Sequence, residues 1–163
     1  MKEPDNNSLH WTSPDTYLLG ENDRTDAVKY EYVNGQVYAM AGASRNHNIL
    51  AGELFALLRN HLRGKGCRAF QGDMKVGIQT ASEQHFYYPD VHVTCAEETN
   101  RYFNTAPCLI IEVLSESTAR IDRYEKLVAY RLLDALIDYS FNGNLAGKNV
   151  ALGNGSSAQV TMP

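Results

Sequence analysis

Along the chain the spacing of apolar residues switches several times between the period of a helix and that of a strand. In "TSPDTYLLGE", Ser13 stands where a cap belongs, Pro14 at a first helical position and Asp15 in a first turn, which predicts a short helix. "KYEYVNGQVYAM" reads as two extended runs about Asn34-Gly35, a dipeptide that accepts the positive φ angles of a tight hairpin. From Ser44 to Leu62, Leu50, Leu54, Leu57 and Leu58 recur at helical spacing, and Gly64 and Gly66 supply a stop.

"CRAFQGDMKVGIQ" alternates, with Phe70, Met74, Val76 and Ile78 on one face and Asp73 and Lys75 on the other, predicting one half-buried strand. "FYYPDVHVTC" predicts another, with Val91, Val93 and Cys95 opposite Asp90, His92 and Thr94. "CLIIEVLS" is apolar on both faces, the mark of a central strand covered on both sides, and its Glu112 shares a face with Ile110 and Leu114. Ser117 to Leu136 predicts a helix with Ile121, Tyr124, Val128 and Leu132 as its apolar stripe. Helix, hairpin, helix, three strands and helix imply an α+β or α/β sandwich about a mixed sheet, with the strand order left open.

A length of 163 residues suits one domain, and 44% hydrophobic with 21% charged residues excludes a largely disordered or collagen-like chain. The net charge of -4 argues against broad nucleic-acid binding, although a local basic surface can form on an acidic protein. No apolar leader opens the sequence and no run approaches the ~18 residues of a membrane span, so a cytoplasmic protein is expected. Cys67, Cys95 and Cys108 are widely spaced and odd in number, which predicts reduced thiols in place of a disulfide or zinc site. GxSxG, P-loop and GxGxxG motifs are absent.

The candidate chemistry lies in the two acids placed among apolar residues, Asp90 and Glu112, because a hard divalent cation takes oxygen ligands. An ionised carboxylate inside apolar surroundings needs a cation, donors or a raised pKa, so Glu112 is the more informative. Lys126 borders the apolar stripe of the last helix, where it could reach a site or form a surface pair with Asp122. Asp90 could equally be a turn residue after Pro89, and Glu112 could simply pair with a buried base. His47 and Glu31 read as ordinary surface residues, and the remaining histidines lack zinc spacing.

The strings "KYEYVNGQVYAMAGAS..H", "PDVHVT" and "LIIEVLSEST...D...K...Y" resemble the Uma-type restriction-endonuclease family of the PD-(D/E)xK superfamily, over about Ser13 to Tyr139. The resemblance implies a restriction-endonuclease-like sandwich, a central mixed sheet flanked by helices. It implies that Asp90, Glu112 and the Val113 carbonyl hold Mg2+ or Mn2+, that Lys126 replaces the lysine usual at the position of Leu114, and that Glu31 and His47 support the site from its rim. DNA is the implied substrate, a homodimer is allowed, and Arg45, Arg59, Arg63, Lys65 and Arg68 are candidate phosphate contacts. A catalytically inactive binding or regulatory relative is the alternative.

The composition divides the chain into a nuclease-like domain, residues 1–139, and a divergent tail, residues 140–163. The Gly-, Asn- and Ser-rich tail is expected to be poorly ordered from Asn142, leaving the C-terminal part of the fold incomplete, an open sheet edge beside the Glu112 strand and activity weak or absent.

Overall fold

A computed structural model describes residues 11–114, 125–133, 137–142, 149–151 and 157–159. Helix α1, Pro14–Asn22, is capped by Ser13, whose hydroxyl accepts from the Thr16 amide at 3.1 Å. Strands β1, Tyr30–Val33, and β2, Gln36–Ala39, form the expected hairpin, with Asn34 at φ 45° and Gly35 at φ 94°. Helix α2, Arg45–His61, starts at a Ser44 cap and buries Leu50, Ala51 and Leu54.

The strand expected from Cys67 to Gln79 is two strands, β3, Arg68–Gln71, and β4, Lys75–Gln79. Gly72, at φ 64°, breaks the run and sends the halves to different sheets. A second correction follows at Pro89, which separates β5, Gln84–Tyr87, from β6, Val91–Thr94. Proline has no amide for a ladder, so the chain leaves one sheet there and enters the other. Strands β7, Phe103–Asn104, which the sequence did not signal, and β8, Pro107–Leu114, follow.

One sheet has the order β2-β1-β5-β4-β7 and the other β3-β6-β8-β9, where β9 is Ile137–Asn142. Both are mixed, because β4 pairs parallel with β7 and β8 parallel with β9. The α+β class and the mixed β-structure therefore hold. Pairing with β9 also corrects the expected open edge: β8 lies between β6 and β9. Strands β10, Asn149–Ala151, and β11, Ser157–Gln159, form an antiparallel pair, and the rest of the expected poorly ordered stretch lies outside the described residues.

Apolar residues on the two faces of β8 serve different clusters. Ile111 and Val113 pack with Leu50, Ala51 and Leu54 of α2, whereas Ile110 packs with Val76, Ile78 and Tyr87 of the other sheet and with Ala129 and Tyr130. The latter pair belongs to α3, Leu127–Tyr130, preceded by a wider turn at Glu125 and Lys126. The stripe expected for this helix is displaced: Val128 and Leu132 are exposed, and Lys126, Ala129, Tyr130 and Leu133 face inward. Ile121 and Tyr124 lie outside the described residues.

The cysteine expectation also fails. Cys67, just before β3, is disulfide-bonded to Cys95, just after β6, and Cys108 is free. The two residues are far apart in sequence but flank the adjacent ends of paired strands, with Arg68 opposite Thr94.

His92 of β6 is fully buried, its ring stacked on Phe70 at a centroid distance of 5.2 Å. Asn104 Nδ2 lies 2.9 Å from His92 Nε2, and an amide nitrogen only donates, so Nε2 accepts and Nδ1 carries the proton. Burial lowers its pKa from 6.5 to about 4. The unfolded chain binds this proton more tightly, so the stabilising contribution of neutral His92 is complete above pH 6.5 and is lost as the pH falls toward 4. Denaturant titrations should therefore show the advantage of wild type over His92→Gln shrinking by up to ~3 kcal/mol between pH 7 and 4. A pH-independent difference would contradict it.

Candidate active site

Two backbone features bring the acids together. Asp90 enters β6 directly after Pro89, while Glu112 sits in β8, and β6 and β8 pair antiparallel with Val91 opposite Ile111. The neighbouring Val113 amide donates to Asp90 Oδ2 at 2.7 Å, fixing the first acid against the strand that carries the second. His47, one turn into α2, places Nε2 2.9 Å from the same Oδ2. That contact is misaligned for a hydrogen bond, leaving His47 Nε2 buried without one.

Glu112 accepts from the Tyr130 hydroxyl at 2.6 Å through Oε1. Lys126 Nζ is 3.6 Å from that oxygen and only 2.8 Å from Glu31 Oε1. Glu31 is held in turn by the Tyr88 amide, at 3.0 Å, and the Lys126 ammonium also lies 5.5 Å from the centre of the Tyr87 ring. The side chains of Asp90 and His47 are 22% and 18% exposed, whereas those of Lys126 and Glu112 are 9% and 10% exposed, so the site opens on the Asp90 side.

The site thus unites Glu31, His47, Asp90, Glu112 and Lys126. Glu31, expected as a supporting residue, lies 2.8 Å from Lys126, closer than Glu112 at 3.6 Å. The surface pair with Asp122 involves a residue outside the described ones. Lys126 and Tyr130 both support the Glu112 carboxylate, Lys126 by its charge at 3.6 Å and Tyr130 by the shorter hydrogen bond at 2.6 Å. The role of Tyr130 was missed, although it lies four residues after Lys126 and so on the same helical face.

Tyr88 was missed as well. Its hydroxyl donates to Glu21 Oε2 at 2.8 Å and accepts from Lys75 Nζ at 3.1 Å, while Glu21 Oε1 binds Arg24. Burial lowers the pKa of Lys75, opposed by the charge of Glu21. This network under α1 anchors the residue whose amide holds Glu31.

Arg45 lies at the site end of α2, but Arg59 is twelve residues beyond His47, ~18 Å along the helix axis. Arg59, Arg63, Lys65 and Arg68 are all exposed. The structure does not gather them around the acids.

Burial raises the pKa of Glu112 from 4.5 to about 7, with Asp90 and Glu31 acting in the same sense and Lys126 and Tyr130 opposing it. Lys126 pairs with two carboxylates, Glu31 and Glu112, and the charge of Asp90 bears on Glu112. Carboxylate oxygens such as these are the donors that a hard divalent cation takes. No group of three or more His, Cys, Asp or Glu able to hold an ion occurs among the described residues. Two carboxylates, Asp90 and Glu112, are compatible with an ion that keeps several waters, as magnesium does.

The family model "Uma2: Putative restriction endonuclease" matches residues 14–138. The uncharacterized protein slr1290 of Synechocystis sp. is 41% identical over 129 residues, covering 78% of this chain and 66% of that protein. A second uncharacterized Synechocystis protein, sll1609, is 35% identical over 127 residues, covering 76% of this chain and 70% of the relative. This chain therefore spans just under two thirds of the first relative's length. The crystal structure of a putative nuclease belonging to DUF820 from Anabaena variabilis superposes with a TM-score of 0.64 at 16% identity, over 91% of this chain and 88% of that one, and shares its fold.

Because Glu112 binds its proton more tightly folded than unfolded, its charge destabilises the fold as the pH rises from 4.5 to about 7. In chelator, Glu112→Gln should be more stable than wild type by ~1–3 kcal/mol at pH 8, with the gain vanishing near pH 5. Denaturant titration at both values checks this, and a variant less stable at pH 8 would contradict it. Tyr130→Phe, which strips a donor from buried Glu112, should instead cost ~1–3 kcal/mol at pH 8 in the same assay.

Proposed function

We propose that this chain, which belongs to the Uma2 restriction-endonuclease family, is a metal-dependent nuclease that hydrolyses phosphodiester bonds of DNA. The observation that carries the reading is the convergence of Asp90, Glu112 and Lys126 from two paired strands and the following helix. Asp90, Glu112 and the carbonyl of Val113 would hold Mg2+ or Mn2+. When bound, such an ion makes a coordinated water acidic and stabilises charge on the phosphoryl oxygens.

The protein's own groups divide the remaining work. Tyr130 and the Val113 amide fix one oxygen each of Glu112 and Asp90, so the two acids are oriented before substrate arrives. Lys126, held by Glu31, presents a positive charge beside Glu112, where it can orient the attacking water or offset charge developing on the phosphate. His47 flanks Asp90 on the open side. Its position suits contact with the substrate backbone.

Arg45 would meet phosphates close to the site, and Arg59, Arg63, Lys65 and Arg68 would meet them farther along α2. The ~18 Å between His47 and Arg59 corresponds to about five base pairs of duplex. On this reading the nuclease-like domain would span residues 1–139 and the tail residues 140–163, with catalytic work confined to the former.

Supercoiled plasmid incubated with the purified chain should be nicked or linearised with Mg2+ or Mn2+ and left intact with chelator. Asp90→Asn and Lys126→Met should each lower the rate by two or more orders of magnitude, with folded structure retained by circular dichroism. Cleavage by Asp90→Asn at the wild-type rate would overturn the assignment of the site.

A further inference from the structure

Three adjacent strands bring their cysteines to the same end of one sheet. Cys67 precedes β3, Cys95 follows β6 and Cys108 is the second residue of β8, in a sheet ordered β3-β6-β8. Cys95 is exposed and disulfide-bonded to Cys67, and the free thiol sulfur of Cys108 is 3.4 Å from the Cys95 sulfur. The third sulfur is thus in contact with a disulfide that solvent can reach.

We propose that the three residues form a thiol–disulfide exchange site in which the covalent link moves between Cys67–Cys95 and Cys95–Cys108. The Cys108 thiolate attacks Cys95 Sγ, the Cys95–Cys108 bond forms, the Cys67–Cys95 bond breaks and its electron pair leaves on Cys67. Cys108 gives up one proton to solvent and Cys67 takes up one, so the step is redox-neutral and needs no added oxidant. Cys108 Sγ lies 3.5 Å from the Val93 carbonyl, so the protonated thiol has an acceptor at rest.

The surroundings of Cys67 favour the step in this direction. Cys67 lines a groove of about 340 Å3 together with Arg59, Arg63 and Arg68. Guanidinium groups stabilise a nearby thiolate, and a stabilised thiolate is the better leaving group. Exchange transfers the clamp from the β3–β6 pair to the β6–β8 pair. It frees the start of β3, with Arg68, and the turn before it, with Arg63 and Lys65, while tying down the strand that carries Glu112.

The test uses the full chain, oxidised with oxidised glutathione, desalted, labelled with N-ethylmaleimide at pH 8, quenched in acid and mapped by pepsin digestion and mass spectrometry. Wild type should carry label on both Cys67 and Cys108 and yield both Cys67–Cys95 and Cys95–Cys108 linked peptides. In Cys108→Ser the label on Cys67 should be lost and only the Cys67–Cys95 link should remain. Cys67→Ser, which keeps the attacking pair, should yield the Cys95–Cys108 link. Label confined to Cys108 in wild type, undiminished label on Cys67 in Cys108→Ser, or label on all three residues after oxidation would each overturn the proposal.

Discussion

The buried ammonium of Lys126, set between Glu31 and Glu112, is the contact around which the charged cluster of the site is organised. Removing charged groups from water costs several kcal/mol each unless they are paired and hydrogen-bonded, and here two strands from different sheets and one helix contribute to a single charged cluster. The surrounding structure is organised to satisfy it. The Tyr88 amide supports Glu31 and the Tyr130 hydroxyl supports Glu112. Tyr87 and Tyr130 meet edge to face beneath the charges, at a centroid distance of 5.6 Å. Aromatic packing therefore seals the dry side of the cluster, and the Asp90 side remains open to water.

Pro89 is where the backbone passes from one sheet to the other. Tyr88, before the proline, donates its amide to Glu31 of the first sheet, and Val91, two residues after the proline, begins the second. Tyr88 is fastened at its hydroxyl by Glu21 and Lys75, and Asp90 is fastened by the Val113 amide. The turn is thus held at both ends, one from each sheet. This positions Glu31 and Asp90 relative to each other even though they lie in different sheets, and it gives α1, far from the acids in sequence, a part in the geometry of the site.

Much of this was legible in the chain itself. The Ser13 and Ser44 caps and the Asn34-Gly35 turn are local, and local chemistry determines them. Glu112 stood out because an acid in a two-faced apolar strand demands an explanation, and the resemblance tied it to Asp90 and Lys126. What could not be read were consequences of tertiary contact. Alternation continues unbroken through Gly72 and Pro89, so periodicity alone joined strands that the fold separates. The inward face of α3 was misjudged because a lysine and a tyrosine occupy positions where an apolar stripe was sought. The Cys67–Cys95 bond depends on which strands become neighbours, and spacing along the chain carries no record of that.

The parallel pairing of β8 with β9 has a topological consequence. Two parallel neighbours cannot be joined by a tight turn, and the intervening chain must travel back along the sheet as a crossover. Here that return path carries α3 and Lys126. The acid and the base of the cluster are thus delivered by the two ends of one mechanical linkage, with β9 as its anchor. A chain cut after α3 would keep Glu31, Asp90, Glu112 and Lys126 and lose the strand whose Ser140 lies in register with Glu112, so the integrity of the site is encoded partly in backbone pairing beyond its charged side chains.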